Sequence, residues 1–250
     1  MTLVNRLIDA FHYLNSAGPV WHWRLVFAKC PHCGPSHFLM LRRDPFFTRC
    51  LKCRSTAINL SAIRVIQQGL SAVSNKSAYE MSTYGATYSY LKRACSEFHC
   101  SEYFPGRKSG EWIDGVLNED AQQLSFPDES FDLITSSQVF EHVPDDLAAY
   151  RECWRTLKPG GSLIYTVPLH DTVRTEQVAM IVDGEIRWLS APQFHGSRTT
   201  GPNSVPVFWR FSVRDISQRV SSAGFRDFSL VNVMLFPQQA LPQTVIHAVK

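Results

Sequence analysis

The 250-residue sequence lacks any run of 18 consecutive apolar residues, and polar side chains interrupt its N-terminal stretch. Asn5, Arg6, Asp9 and His12 lie among the first fifteen residues. A membrane helix needs about 20 apolar residues, and a signal peptide needs a shorter but continuous apolar segment. The sequence therefore predicts no membrane contact and no secretory signal, and we expect a cytoplasmic protein.

The sequence also lacks the even set of cysteines that a disulfide framework requires. Four of its seven cysteines form two close pairs, Cys30-x2-Cys33 and Cys50-x2-Cys53, with sixteen residues between the pairs. Four thiolates at this spacing can meet across a short hairpin and form a tetrahedron around Zn²⁺, leaving no open position for catalysis. We therefore predict a structural zinc site in a reducing compartment.

The pattern of apolar and turn-forming residues predicts four segments. Residues 1–20 have helical spacing, 21–58 contain the short strands and turns of a zinc ribbon, and 59–76 form a bridging helix and linker. Residues 77–250 alternate strand and helix, which predicts an α/β domain with a doubly wound, mainly parallel, seven-stranded sheet. Within it, residues 169–206 are rich in Pro, Gly, His and Thr and predict an inserted loop region.

The charge is unevenly distributed along the chain. Residues 1–76 contain ten Lys/Arg and two Asp/Glu, a net charge of +8, whereas the remainder has a net charge of −5. A basic segment of this size attracts anions such as nucleic acid, so an RNA partner is one interpretation. An ordinary solvated basic face is the other interpretation, and the sequence leaves both open.

Polar residues follow the predicted strands, where open α/β sheets bind their ligands. Glu80 and the turn Met81-Ser82-Thr83-Tyr84-Gly85-Ala86 end the first strand, and a helix opens directly after this turn. Glu102 follows the second strand, seventeen residues beyond Gly85, close to where dinucleotide folds place an acid for ribose hydroxyls. After the third strand, Asp120 can accept from an adenine amine while the Ala121 N–H donates to a ring nitrogen.

Five short motifs occur in order between residues 78 and 168. They are Asp120-Ala121, Phe126-Pro127, Ser130-Phe131-Asp132, Glu141-His142-Val143 and Leu157-Lys158-Pro159-Gly160-Gly161. Together they resemble the methyltransferase family often called type 11, with weaker support as far as Phe225. The resemblance implies a Rossmann-like fold that binds S-adenosylmethionine.

The resemblance also implies which residues hold the cofactor. The methionine part would lie near Glu80, Ser82 and Gly85, the ribose near Glu102, the adenine near Asp120 and Ala121, and the reactive sulfonium near Ser136, Ser137 and His142. The sequence departs from the family at the first turn, where Ser82, Tyr84 and Ala86 stand at three glycine positions. A positive φ at Tyr84 would cost about 1–2 kcal/mol, whereas Gly85 can carry the turn one residue later.

Methyl transfer from a sulfonium needs alignment of the acceptor and sometimes a base. His142, His170, Asp171 and His195 are the candidates, since the first two follow strands and His195 lies in the inserted segment expected to form the acceptor pocket. For each histidine, an ordinary contact at a helix end or on the surface is the alternative.

Three functions are consistent with these patterns. The first is a methyltransferase that acts on a small-molecule or saccharide acceptor. The second is an RNA methyltransferase that grips RNA through the basic ribbon, and the third is a non-catalytic binding protein that has kept the fold. The sequence contains no acceptor signature such as Asn-Pro-Pro-Tyr, so it does not identify the acceptor.

Overall fold

A computed structural model describes residues 23–70, 73–197 and 201–250. The helix predicted over residues 1–20 lies outside the described residues.

The described helices are α1 (Ala57–Gly69), α2 (Gly85–Ala94), α3 (Asp146–Thr156) and α4 (Ile216–Ser222). The strands of the N-terminal half are β1 (Arg24–Cys30), β2 (Gly34–Met40), β3 (Thr48–Cys50), β4 (Ser77–Glu80), β5 (Glu97–Cys100), β6 (Trp112–Ile113) and β7 (Val116–Leu117). Those of the C-terminal half are β8 (Phe131–Ser137), β9 (Leu157–Thr166), β10 (Leu169–His170), β11 (Glu176–Gln177), β12 (Ala179–Val182), β13 (Glu185–Trp188), β14 (Phe194–Ser197), β15 (Gly201–Pro206), β16 (Trp209–Ser212), β17 (Asp227–Val233) and β18 (Gln243–Val249).

The central sheet of the described residues has the strand order β17-β18-β9-β8-β4-β5. Strand β4 is parallel to β5 and β8, and β8 is parallel to β9, whereas β18 is antiparallel to both of its neighbours. This confirms a mainly parallel sheet. After β4 the chain adds β5 on one side and β8 on the other, so the strand order reverses between β4 and β8. Ligands of open α/β sheets bind at such a reversal.

The prediction of seven strands was wrong for the described part of the chain, where the sheet has six. The segment expected as the third strand folds back on itself, because Asp114 and Gly115 both adopt a positive φ and join β6 to β7 as a hairpin. Its contact with the sheet is reduced to a parallel bridge between Glu102 and Asn118. Strand β16 pairs with β10 and β11 in a separate small sheet.

Helices cover both faces of the sheet. Helices α3 and α4 enclose one core, in which Tyr79, Tyr150 and Tyr165 are fully buried. Helix α1 buries Leu60 and Ile63 in the core of the opposite face. Each such side chain contributes about 1.5–3 kcal/mol, so tertiary packing holds α1 in place. The predicted bridging helix therefore also covers one face of the central sheet.

The small N-terminal sheet, β1-β2-β3, packs against the same helix. Phe38 of β2 is fully buried and lies 4.9 Å from the ring of Phe236, centroid to centroid. The Thr56 hydroxyl caps the first turn of α1 by accepting from the Asn59 N–H, and Thr56 follows Cys53 by only three residues. The cysteine-bearing turns and α1 therefore form one continuous packed unit.

The inserted segment is more regular than the predicted loop. Strands β12 and β13 form a hairpin whose turn, Asp183-Gly184, has a positive φ at both residues. An Asp-Gly pair between alternating strands is a strong hairpin signal that the prediction overlooked. Strands β14 and β15 form a second hairpin, with a bulge between His195 and Ser197. No described helix has the length and apolar character to cross a bilayer.

Candidate functional site

The four paired cysteines converge at one end of the small sheet. Cys30 ends β1, Cys50 ends β3, and Cys33 and Cys53 lie in the turns that follow. The Sγ atoms of Cys30 and Cys53 are 3.8 Å apart, those of Cys33 and Cys50 are 3.5 Å apart, and all four lie within 4.8 Å of one another. Zn–S bonds of about 2.3 Å in a tetrahedron separate the sulfurs by about 3.8 Å, so the four thiols fit a metal of this size.

The turn after β4 is held by Glu102. Thr83 donates from its backbone N–H and its hydroxyl to Oε1 of Glu102, at 2.8 and 2.7 Å. The Ser82 hydroxyl lies 3.5 Å from the same oxygen. Ser82 and Glu102 were predicted from the sequence as cofactor contacts. Thr83 was not predicted, although its hydrogen bonds to Glu102 hold the turn that contains Ser82. The second carboxylate oxygen of Glu102, Oε2, accepts none of these hydrogen bonds.

Gly85, and not Tyr84, carries the positive torsion of this turn. The φ angle is +97° at Gly85 and −148° at Tyr84, so the strain expected at Tyr84 does not arise. Helix α2 begins at Gly85, and its N-terminus has no side-chain cap. A Cβ atom on Gly85 would lie 3.4 Å from Nδ2 of Asn59, so α1 approaches this turn closely.

Glu80, at the end of β4, is 2% exposed. Burial raises the pKa of its carboxyl to about 7, although the hydrogen bond from the Thr135 hydroxyl lowers it and the charge of Glu102 adds to the rise. At neutral pH a substantial fraction of this carboxyl is therefore protonated. A buried acid poised at neutrality, next to the reversal in strand order, is typical of a functional site.

Asp120 and Ala121 follow the β6–β7 hairpin. The Asp120 carboxylate accepts from the backbone N–H of Gln122 at 2.9 Å and from its amide at 3.0 Å. Its neighbour Glu119 is buried and accepts from the Ser125 N–H at 2.8 Å and from the Ser125 hydroxyl. Glu119 therefore holds the loop, while the half-buried Asp120 carboxylate is held by Gln122, whose amide donates to both of its oxygens.

Ser136 and Ser137 end β8, directly across the reversal from Glu80. The Ser137 hydroxyl donates to Oδ1 of Asn59 at 2.8 Å, and it lies 3.2 Å from the Thr166 hydroxyl. The Ser136 hydroxyl is buried and has no hydrogen-bond partner among the described residues. Asn59 was missed by the sequence analysis, since its helical spacing gave no sign that it reaches the carboxyl ends of the strands.

His142 and His195 are brought together, although 53 residues separate them. Nε2 of His142 lies 3.1 Å from Nδ1 of His195, and Nδ1 of His142 lies 2.7 Å from the Pro206 carbonyl oxygen. Oε1 of Glu141 is 3.7 Å from His142 Nε2 and 3.9 Å from His195 Nδ1. Burial raises the pKa of Glu141 to about 8, lowers that of His142 to about 4 and lowers that of His195.

His170 and Asp171 do not join this cluster. His170 is exposed, and its ring makes no hydrogen bond to any described residue. Asp171 pairs with Arg214 at 2.8 Å, and both side chains are more than half exposed. Glu141, in contrast, was quoted in the sequence analysis only as part of a motif. Its position directly before His142 was the available signal.

Three comparisons with known proteins bear on this arrangement. Residues 82–165 match the model of a family described as a methyltransferase domain. Demethylmenaquinone methyltransferase of Listeria welshimeri is 44% identical over 48 residues, which is 19% of this chain and 20% of that protein. Phthiotriol/phenolphthiotriol dimycocerosates methyltransferase 1 of Mycobacterium ulcerans is 29% identical over 114 residues, covering 41% of this chain and 42% of that protein. The chain thus matches between one fifth and two fifths of the length of these relatives.

A solved structure matches over a greater length. The S-adenosylmethionine dependent methyltransferase from Mesorhizobium loti has a TM-score of 0.50 and 16% identity, and the match covers 76% of this chain and 98% of that chain. At this identity the similarity establishes the fold. The chain has the Rossmann-like fold of S-adenosylmethionine-dependent methyltransferases, with a mixed, mostly parallel central sheet.

Proposed function

We propose that this chain is an S-adenosylmethionine-dependent methyltransferase that acts on a small-molecule or saccharide acceptor. One observation carries the proposal: Glu80, Ser136 and Ser137 end strands β4 and β8, where the strand order reverses, and β8 lies within the segment, residues 82–165, that matches a methyltransferase domain. This is the position at which a doubly wound sheet binds a nucleotide ligand.

The described contacts support a binding role for each part of the site. The turn of Ser82 and Gly85 would receive the methionine part, since the uncapped N-terminus of α2 offers N–H groups to a carboxylate. The free oxygen of Glu102 would accept from a ribose hydroxyl. Asp120 and the Ala121 N–H would bind the adenine edge.

The acceptor would enter from the side of the inserted hairpins. The sulfonium methyl is already activated, so the protein must align the acceptor with it and remove a proton where the acceptor carries one. Burial lowers the pKa values of His142 and His195, which favours the neutral imidazole, the form that can accept a proton. His170 stays a weaker candidate, since its exposed ring lies outside this cluster.

We also propose that the four paired cysteines bind a structural Zn²⁺. Their sulfur separations match a tetrahedral thiolate site, and four protein ligands would leave no position for substrate. The metal would hold together the turns at one end of the three-stranded sheet.

Isothermal calorimetry of the zinc-loaded protein with S-adenosylmethionine and S-adenosylhomocysteine tests the cofactor site. We expect micromolar binding that Glu102→Ala and Asp120→Ala each weaken about tenfold or more, because each loses a hydrogen bond to a bound polar group. Glu97→Ala is the matched control, since Glu97 is an exposed acid on β5. No binding by folded wild-type protein would refute the proposal and favour the non-catalytic alternative.

An acceptor screen tests the reaction itself. Formation of S-adenosylhomocysteine would be measured with quinones, hydroxylated lipids, saccharides and RNA as acceptors. The relatives named above give RNA no support, so we expect turnover with a small molecule. Turnover with RNA alone, lost steeply as salt rises, would instead assign the basic N-terminal segment to RNA binding.

A further inference from the structure

Glu141 is a buried acid whose carboxyl oxygens have no hydrogen-bond partner within residues 23–70, 73–197 and 201–250. It is 1% exposed, and neither Oε1 nor Oε2 has a hydrogen-bond partner among the described residues. A buried polar group without a partner costs free energy, so proteins rarely keep one unless another group completes the site. The side chain faces His142 and His195, and one possible ligand atom from each of the three residues lies within 4.8 Å of the other two.

The separations within this cluster of Glu141, His142 and His195 suit a metal ion. Metal–ligand bonds of about 2.0–2.2 Å place neighbouring nitrogen and oxygen ligands about 3.0–3.5 Å apart. The observed distances between His142 Nε2, His195 Nδ1 and Glu141 Oε1 are 3.1, 3.7 and 3.9 Å. Closure by a few tenths of an ångström would bring all three atoms into a single coordination sphere.

The surrounding backbone fixes the orientation of the first imidazole. The Nδ1–H of His142 donates to the Pro206 carbonyl at 2.7 Å, which leaves the lone pair on Nε2 facing Glu141 and His195. Such a hydrogen bond to the second nitrogen is how proteins orient metal-binding histidines. The Phe208 N–H donates to the Glu141 carbonyl at 2.8 Å, so the chain directly after the inserted segment is held against this turn.

The cluster is also accessible. The side chain of His195 is 36% exposed and that of His142 is 14% exposed, whereas Glu141 closes the inner side. An ion can therefore enter past His195, and coordination positions on that side would remain open. This differs from the four-cysteine site, where the protein would supply all the ligands.

We propose that Glu141, His142 and His195 form a second metal site, separate from the four cysteines, that binds a divalent first-row transition metal. Two imidazoles and one carboxylate suit Mn²⁺, Fe²⁺, Co²⁺, Ni²⁺ or Zn²⁺ better than the all-oxygen sites of Ca²⁺ and Mg²⁺. Three protein ligands leave positions for an oxygen atom of the acceptor. This last role rests on the proposed methyltransferase function, and it makes the histidines metal ligands rather than free bases.

Titration with Co²⁺ of a chain loaded with one equivalent of Zn²⁺, which the four thiolates bind first, tests the site without any turnover. Zinc occupies the cysteines, so Co²⁺ in the second site would show weak visible bands and no thiolate charge-transfer absorption. We expect one further equivalent per chain, with the affinity reduced at least tenfold in Glu141→Gln and His195→Ala. His195 lies on an accessible hairpin, so its variant separates loss of a ligand from loss of folding.

His170→Ala is the matched control, because it removes an exposed histidine outside the cluster. The inference is overturned if folded wild-type protein takes up no second equivalent, or if both cluster variants bind Co²⁺ as tightly as the control. The first result would leave the two histidines as a hydrogen-bonded pair that accepts protons directly. Neither result depends on S-adenosylmethionine binding, so failure here and failure of the proposed function are distinguishable.

Discussion

The Ser137 hydroxyl donates to the side-chain oxygen of Asn59 at 2.8 Å, across 78 residues of sequence. The same asparagine lies against Gly85, where its Nδ2 would be 3.4 Å from an added Cβ. One residue of α1 thus contacts both sides of the reversal in strand order. Helix α1, which precedes the segment that matches a methyltransferase domain, is therefore part of the candidate cofactor site.

The Asn59→Ala substitution tests this contact. We expect S-adenosylhomocysteine affinity to fall about fivefold, because loss of one positioning hydrogen bond costs about 1 kcal/mol. Calorimetry of the zinc-loaded protein measures the change. Gln68→Ala, at an exposed position of the same helix, should bind as the wild type does. Equal affinities for the two variants would remove α1 from the site.

The Gly85→Ala substitution separates backbone strain from binding. An alanine at φ +97° should lower the free energy of unfolding by about 1–2 kcal/mol and distort the turn that lies against Asn59, so cofactor affinity should fall as well. Gly184 is the control, since its φ is +81° and no atom lies within 4 Å of an added Cβ. Gly184→Ala should show comparable strain in denaturant unfolding with unchanged cofactor affinity. An equal loss of affinity in both variants would contradict a local role for Gly85.

The buried Glu80 carboxyl predicts how stability depends on pH. Its pKa is about 7 in the folded protein and 4.5 ordinarily, because burial disfavours the charged form. Between these values the folded state holds more protons than the unfolded state, so stability falls as pH rises from 4.5 through 7. Glu80→Gln should remove this fall, which amounts to roughly 3 kcal/mol. The check is the difference between wild-type and variant unfolding free energies across this range, and a constant difference would show that Glu80 does not titrate there.

Removal of the metal proposed at the four paired cysteines should destabilise more than the small sheet that carries them. Because the four cysteines adjoin α1, chelation or Cys50→Ser should lower Tm by roughly 10 °C or more. Cys95→Ser is the control, since Cys95 is half-buried and lies outside the cysteine cluster. Scanning calorimetry with zinc content measured on the same samples decides the question. A Cys50→Ser protein that keeps its zinc and its Tm would argue against the site.

The sequence predicted the elements with strong local signals. The spacing of Cys30 and Cys33 predicted convergence of the cysteines, and strand–helix alternation predicted a mainly parallel sheet. The Asp183-Gly184 hairpin carried a local signal that was outweighed by the many turn-forming residues around it. Asn59 carried none, since helical periodicity reports which face is buried and not which strand end a polar side chain reaches.

The contacts among Glu141, His142 and His195 also could not be predicted from local sequence signals. His142 and His195 were each selected from chemistry and position, but their meeting depends on the hairpin register that places His195 opposite Val205. Register is a property of pairing between distant segments, so a single sequence does not specify it locally. The burial of the Glu141 carboxyl beside the His142 and His195 rings is seen only in the folded structure.

Thr56 lies three residues after Cys53, and the helix that it caps places Asn59 against the turn at Gly85. If metal at the cysteines strengthens cofactor binding through this helix, then by thermodynamic reciprocity the cofactor strengthens metal binding by the same factor. Metal supply would then regulate methyl transfer without altering any group that touches the acceptor. A cell short of zinc would lose this activity gradually, and abundant S-adenosylmethionine would protect it.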